Sequence, residues 1–84
     1  MTMPTRRRPI RGEDLGGDRV ELEVSVARKL YTCPGCGGQI PIGAEHVFVR
    51  RTPVDGSSRY HQHWHTDCAR PIAREMDLAG RRRN

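Results

Sequence analysis

Four residues of this chain have the types and the spacing of metal ligands. Cys33 and Cys36 are separated by two residues, and so are His65 and Cys68, with 28 residues between the two pairs. The first pair places two sulfurs across a tight turn, and the second lies on one side of a single helical turn. Zinc accepts sites with three cysteines and one histidine. The spacing therefore predicts one structural Zn²⁺ and no enzymatic role, because four protein ligands leave no open position on the metal.

The same cysteines have two other interpretations. They could be ordinary buried thiols that have a histidine nearby by chance, or a Cys-x-x-Cys redox pair in a thiol-based sensor. Redox pairs of that type begin a helix after a strand, whereas Gly35, Gly37 and Gly38 lie in and after this motif. Metal binding is therefore the first interpretation, and the redox sensor is the least favoured one.

The nitrogen ligand must be chosen among four histidines. His61, His63 and His65 alternate along an extended segment, so any of them could approach the metal. Only His65 stands three residues before Cys68 and completes a short ligand pair, and we predict that it binds. The other histidines, His46 among them, are expected to face solvent or to support a hairpin.

Alternating and turn-rich segments predict the strands around this site. Apolar residues alternate with polar ones from Val20 to Val26, which is typical of a half-buried strand. Residues 46–50 and 59–64 indicate two more strands. The loop between them contains the turn signal Asp-Gly-Ser-Ser, so the two strands should form a hairpin.

A helical period follows the second of these strands. Apolar residues recur with helical spacing after Trp64, either Thr66 or Asp67 can cap a helix that begins near Thr66, and Gly80 is expected to end it. Pro71 fits because a proline in the first turn loses no hydrogen bond. Trp64, just before the helix, is expected to pack in the core rather than stack on a base.

These elements predict a small α+β fold of treble-clef-like type, in which a β-hairpin and a C-terminal helix surround the zinc. The zinc-binding domain should cover residues 20–80. Residues 1–19 contain prolines, glycines and a basic run with few apolar side chains, and are expected to form a flexible basic arm. Residues 81–84 are expected to form a basic C-terminal tail.

Length and composition agree with a metal-stabilised domain in a reducing compartment. A chain of 84 residues with 35% apolar residues forms one domain with a marginal core, so a metal is an expected source of stability. Three cysteines cannot all pair within one chain, and the sequence shows no secretory or membrane-spanning apolar run. We expect a cytoplasmic protein that does not engage membranes.

The positive charge is concentrated at the two ends of the chain. The formal net charge is +5, yet residues 13–80 hold eight basic residues against ten acidic ones. Terminal arginines can neutralise phosphates, so binding of DNA or RNA is the leading prediction. The acidic middle favours the alternative, a protein-interaction module that is an accessory subunit of a ribosome or polymerase complex. The predicted nucleic-acid contacts are the terminal arginines and three arginines beside the hairpin loop: Arg6, Arg7, Arg8, Arg11, Arg50, Arg51, Arg59, Arg81, Arg82 and Arg83.

The segment from Cys33 to Cys68 resembles the zinc finger of poly(ADP-ribose) polymerases, a treble-clef-like module that binds DNA ends in that family. The shared features are the two widely separated ligand pairs, the apolar residues 40–42, an Asp-Gly pair in the hairpin turn and Trp64 before the ligand histidine. The resemblance covers 36 residues, under half of the chain. It implies zinc at the four ligands and a role in DNA binding.

The same segment is similar to short actinobacterial proteins with a Cys-Pro-Gly-Cys knuckle, some of which are described as ATP- or GTP-binding. Fourteen arginines against one lysine suit a source with a high GC content. The sequence has no G-x4-G-K-[ST] loop, and its glycines surround cysteines instead of opening a helix after a strand. We therefore predict no nucleotide cofactor.

Overall fold

The computed structural model describes residues 8–82. Its elements confirm the predicted α+β class, because an antiparallel sheet is followed by a C-terminal helix. No helix within the described residues is long and apolar enough to cross a membrane. In chain order the elements are β1 Ile10–Glu13, β2 Arg19–Val26, β3 Tyr31–Thr32, β4 Gln39–Ile40, β5 Glu45–Thr52, β6 Tyr60–Trp64 and α1 Thr66–Arg82.

Four strands form one antiparallel sheet in the order β1-β2-β5-β6. The β5–β6 hairpin is the one that the turn signal predicts, and its loop holds Gly56 at a φ of 87°, a conformation that favours glycine. Strands β3 and β4 form a separate two-stranded ribbon. The loop between them, residues 33–38, is called the knuckle below and carries the first pair of cysteines.

The arm predicted over residues 1–19 is wrong in its second half, because residues 10–13 form β1 and pair with β2. A turn that begins at Asp14 joins the two strands. The Asp14 carboxylate accepts hydrogen bonds from two backbone amides of this turn, each at 3.0 Å, and Gly17 adopts a φ of 93°. Residues 1–7 of the predicted arm lie outside the described residues.

Helix α1 covers one face of the sheet and forms the main core with it. Trp64 packs against this core and also against a smaller cluster under the ribbon, which confirms its predicted packing role. The alternation in β2 stops before its end, since Val26 is 57% exposed. The main core consists of Val20, Leu22, Val47, Val49, Ala69, Ile72 and Met76, and the smaller cluster of Ala27, Cys33 and Ile40.

The helix begins at Thr66, as predicted, but departs from the prediction at two positions. Pro71 is its sixth residue, past the first turn, so position 71 offers no amide proton to the carbonyl of Asp67. Gly80 does not end the helix, which continues to Arg82. The predicted basic tail at 81–84 is therefore helical in its first half.

Candidate metal centre and basic surface

The four predicted ligands lie together at one point. The knuckle presents Cys33 and Cys36, while the junction between β6 and α1 presents His65 and Cys68. Their ligand atoms all lie within 4.8 Å of one another, close enough to hold one metal ion. These four residues are called the ligand cluster below.

The two distances from His65 to cysteine sulfurs are close to those around a tetrahedral ion. His65 Nδ1 lies 3.3 Å from Cys36 Sγ and 3.8 Å from Cys68 Sγ. A tetrahedron with bonds of about 2.3 Å to sulfur and about 2.0 Å to nitrogen separates a sulfur from the nitrogen by about 3.5 Å. The side chains therefore have the spacing of ligands around one ion, and the donor set of three sulfurs and one nitrogen is one that zinc accepts.

The β3–β4 ribbon orients the His65 ring. Its Nε2 lies 3.0 Å from the backbone carbonyl oxygen of Gln39, to which a protonated Nε2 donates. This hydrogen bond raises the pKa of His65 and places the proton on Nε2, so the lone pair of Nδ1 faces the sulfurs. Gln39 carries no signal in the sequence, because it acts through its main chain.

Backbone amides point at the sulfurs of the knuckle. The Gly38 amide donates to Cys36 Sγ at 3.3 Å, and the His65 amide donates to Cys33 Sγ at 3.4 Å. Burial opposes ionisation of Cys33, but backbone hydrogen bonds, that of His65 foremost, outweigh it and lower the pKa of Cys33 to about 6. Burial raises the pKa of Cys68 to about 11, and the two other cysteines add to the rise. Without a metal, the Cys33 thiolate is favoured and disfavours ionisation of Cys68. A bound cation attracts all three sulfurs and therefore favours their thiolate forms.

Glycines let the knuckle approach the core. A Cβ at Gly35 would lie 2.7 Å from Cζ3 of Trp64 and 3.0 Å from Cβ of Cys68. Any larger residue there must displace the tryptophan ring or the helix that carries a ligand. Gly37 meets a different demand, because its φ of 76° lies in the region that favours glycine.

The other three histidines lie outside the ligand cluster. His46 is 1% exposed, and its Nε2 lies 2.7 Å from Nδ1 of His63. Burial lowers the pKa of His63, and the nearby His46 and His61 lower it further. His61 is exposed on the edge strand β6. Their positions match the expected roles in solvent and in support of the hairpin.

Both ends of the described chain reach the same edge of the sheet. Strand β1 is an edge strand, and α1, which starts after β6 at the other edge, ends beside β1. A groove of about 750 Å³ lies between β1, the start of β2 and the second half of α1. Three exposed arginines line this groove: Arg11, Arg19 and Arg81. The exposed arginines at the two ends of the described chain are called the arginine edge: Arg8, Arg11, Arg81 and Arg82.

Surface ion pairs hold two of these arginines. Arg11 lies 3.4 Å from Glu21, and Arg81 lies 3.2 Å from Asp77, yet their side chains remain 73% and 76% exposed. Both guanidinium groups are therefore accessible to a ligand. The other predicted terminal contacts, Arg6, Arg7 and Arg83, lie outside the described residues.

The three predicted arginines of the hairpin have different surroundings. Arg51 is 17% exposed and pairs with the Asp14 carboxylate at 3.3 Å, so its charge stabilises the turn before β2. Arg50 is 57% exposed and lies 3.9 Å from Glu21. Arg59 is exposed in the loop. Arg51 thus has a structural partner that the sequence does not reveal, while the other two face solvent.

A family model described as "Rv1322 family protein" matches residues 19–70. The matched region runs from β2 into the first turns of α1 and contains the whole ligand cluster. Comparisons with curated proteins and with solved structures found no match. The match agrees with the resemblance to short actinobacterial proteins, whereas the resemblance to poly(ADP-ribose) polymerase fingers is not confirmed.

Proposed function

The chain belongs to the Rv1322 family, and we propose that it is a zinc-stabilised protein that binds nucleic acid through the arginine edge. One observation carries the proposal: Arg11 of β1 and Arg81 of α1, far apart in sequence, line one groove at the same edge of the sheet. Charges that are far apart in sequence can then neutralise neighbouring phosphates of one strand.

The geometry of the ligand cluster supports Zn²⁺ as the ion. Three sulfurs and a histidine nitrogen that lie within 4.8 Å of one another form a donor set of structural zinc sites, whereas calcium and magnesium prefer oxygen ligands. With four protein ligands the site is closed, so we propose a structural ion and no enzymatic activity. A small core that is split into two clusters gains most from such an ion.

The groove is also lined by three acidic residues, of which Glu21 pairs with Arg11 and Asp77 pairs with Arg81: Glu13, Glu21 and Asp77. Two acidic residues outside this lining have partners in the loops. Asp18 Oδ1 accepts the Val54 amide at 3.0 Å, and Glu75 Oε2 accepts the Leu15 amide at 3.0 Å. Their oxygens are thus used to hold loops in place. Arg11 and Arg81 remain exposed beside their acidic partners, so a phosphate that binds them competes with Glu21 and Asp77.

The experiment measures binding of fluorescent DNA and RNA oligonucleotides to the full-length, zinc-loaded chain across salt concentrations. If about seven phosphates of a duplex are neutralised, log K should fall with log salt with a slope near −6. Since β1 and α1 reach close to both termini, arginine-to-glutamine substitutions test the surface better than truncation. The triple variant with Arg8→Gln, Arg81→Gln and Arg82→Gln should make the slope about 2.7 less negative.

The matched control removes the same charge elsewhere, at three exposed positions: Arg28→Gln, Lys29→Gln and Arg70→Gln. It should retain most of the affinity and of the salt slope. Equal losses in both triple variants would show that net charge, and not the arginine edge, determines binding. Failure of the full-length chain to bind DNA or RNA at low salt would overturn the proposed function.

A protein partner is the second candidate, favoured by apolar side chains near the ribbon. Val26, Leu30 and Ile42 are 57%, 56% and 71% exposed. Exposed apolar side chains are a common feature of protein–protein interfaces where they form a contiguous patch. If nucleic acid does not bind, this candidate takes first place.

A further inference from the structure

The sheet has a second face, which α1 does not cover. Residues of a strand point to alternate faces, so the neighbours of the core residues Val47 and Val49 point away from the helix. We call this side the outer face. Its cross-strand register aligns Arg11, Glu21, Arg50 and His61 in one row, and Glu23, Phe48 and His63 in the next.

Aromatic rings form a continuous ladder on the outer face. Tyr31 stacks on His63 with ring centroids 3.5 Å apart and an angle of 8° between the planes. Phe48 lies 5.0 Å from His63 and 5.2 Å from His61, and the Arg50 guanidinium carbon lies 5.0 Å from the centroid of Phe48. Phe48 is half-buried beneath the Arg50 guanidinium and His61 is exposed, so a base can stack on His61 directly and on Phe48 once the flexible Arg50 side chain moves aside.

A buried histidine holds the ladder in place from one end. His46 contacts His63 through Nε2, and its Nδ1 lies 3.2 Å from the carbonyl oxygen of Ala44. The buried end is thus fixed by two hydrogen bonds and by the stacked Tyr31. Rings that are ordered before binding lose little conformational entropy when a ligand stacks on them.

We propose that the outer face binds a single strand of nucleic acid, whose bases stack on Phe48 and His61 and whose phosphates contact Arg11 and Arg50. The inference rests on the proposed function and adds the form of the nucleic acid. Aromatic rings on an open sheet surface are a common platform for unpaired bases, while a duplex keeps the faces of its bases stacked inside.

Arg11 belongs both to the arginine edge and to the row that ends at His61, so the outer face is continuous with the arginine edge. Four strands at a spacing of about 4.8 Å give a path of about 14 Å from Arg11 to His61. That length suits about two or three bases, the number that stack on the four-stranded sheet of RNA recognition motifs. Glu21 lies between Arg11 and Arg50, and Glu23 is the cross-strand neighbour of Phe48, so Glu23 is expected to repel a phosphate.

The test compares single strands with a duplex by fluorescence anisotropy, using the full-length, zinc-loaded chain. The probes are labelled oligo(U) RNA and oligo(dT) DNA of about 12 nucleotides, and a DNA duplex of the same length. His61→Ala and Phe48→Leu should each weaken single-strand binding about five-fold or more and leave duplex binding unchanged. Glu23→Gln should strengthen single-strand binding.

Leu78→Ala is the control, because Leu78 is 46% exposed on the helix, away from the outer face. It should leave every affinity unchanged. Zinc content and melting temperature are measured for each variant. His61 is exposed, so His61→Ala keeps the test decisive even if Phe48→Leu is poorly folded.

The outcomes separate this inference from the proposed function. Nuclear magnetic resonance signals of the Phe48 and His61 rings should shift when oligo(U) or oligo(dT) binds, and a shift with either strand supports the inference. If a duplex binds as tightly as a single strand and His61→Ala has no effect, the outer-face site is wrong while the arginine edge still stands. If neither single strands nor duplex bind, both proposals are wrong.

Discussion

The ligand cluster and the arginine edge lie at the two ends of one helix and are built in different ways. Beside the first turn of α1, hydrogen bonds to backbone groups fix Cys33, Cys36 and His65. Near the last turn, about 25 Å away, the arginines are exposed and pair with acids at the surface.

This difference indicates how each region responds to mutation. Four ligands around one ion act together, because the loss of one ligand leaves the ion and the remaining thiolates without a complete site. Exposed charges act almost independently, since water and salt screen each of them. We therefore expect all-or-none effects at the ligand cluster and small, additive ones at the arginine edge.

The largest expected effect is that of Cys33→Ser. Binding of a structural zinc contributes on the order of 10–16 kcal/mol in small zinc domains, and the buried Cys33 belongs to both the ligand cluster and the smaller core. The variant should contain well under one zinc per chain and show no cooperative thermal unfolding by circular dichroism. Val26→Ser, at an exposed position of β2, is the control and should keep both properties. A wild-type fold that survives a strong chelator would contradict this prediction.

The second effect separates the ligand histidine from the other histidines. His65→Ala should lower zinc affinity by more than the roughly 100-fold that is typical when a supporting residue of a ligand is lost. His61→Ala, four residues earlier on the edge strand, should retain zinc. Competition with a chromogenic chelator measures both affinities. Metal loss in the His61 variant alone would show that the nitrogen ligand has been misassigned.

The third effect compares Gly35, which lies in the knuckle against the start of the helix, with Gly80 near the end of the helix. Gly35→Ala should destabilise the fold by about 1–3 kcal/mol, because the new methyl group overlaps the Trp64 ring. Gly80→Ala meets no atom within 4 Å and should stabilise the helix by up to about 1 kcal/mol. Urea denaturation of the zinc-loaded variants gives both values. Equal effects of the two changes would mean that the knuckle does not pack tightly on the core.

The smallest effect concerns ion pairs. Arg51 and Asp14 are 17% and 13% exposed, whereas Arg81 and Asp77 are 76% and 62% exposed. Double-mutant cycles should give a coupling of about 1 kcal/mol for the first pair and at most about 0.5 kcal/mol for the second. Stronger coupling in the exposed pair would contradict the screening argument.

The sequence by itself determined the chemistry of the ligand cluster and most of the strand and helix pattern. Cysteine and histidine spacing is local, since each pair lies within one turn of backbone, and it identifies the four residues without knowledge of the fold. The β5–β6 hairpin and the start of α1 at Thr66 were also predictable, because turn residues and hydrophobic periods act over short distances.

The tertiary structure decided what depends on contacts between distant segments. β1 has little apolar character of its own and forms because the Asp14 turn pairs it with β2. Gly80 does not adopt the left-handed conformation that ends many helices, and α1 continues through it to Arg82. The ion pair between Arg81 and Asp77, one turn earlier, stabilises this last turn.

The placement of charges and rings on the surface was likewise decided by the fold. Seven terminal arginines are visible in the sequence, but only the path of α1 across the sheet places Arg11 and Arg81, two of those in the described residues, beside one groove. Arg50 and Arg51 are adjacent in sequence, yet one faces solvent and the other pairs with Asp14, because neighbouring strand residues point to opposite faces. A pattern of residue types contains no information on which distant partner will lie across the sheet, and that partner determines whether a charge is free to bind.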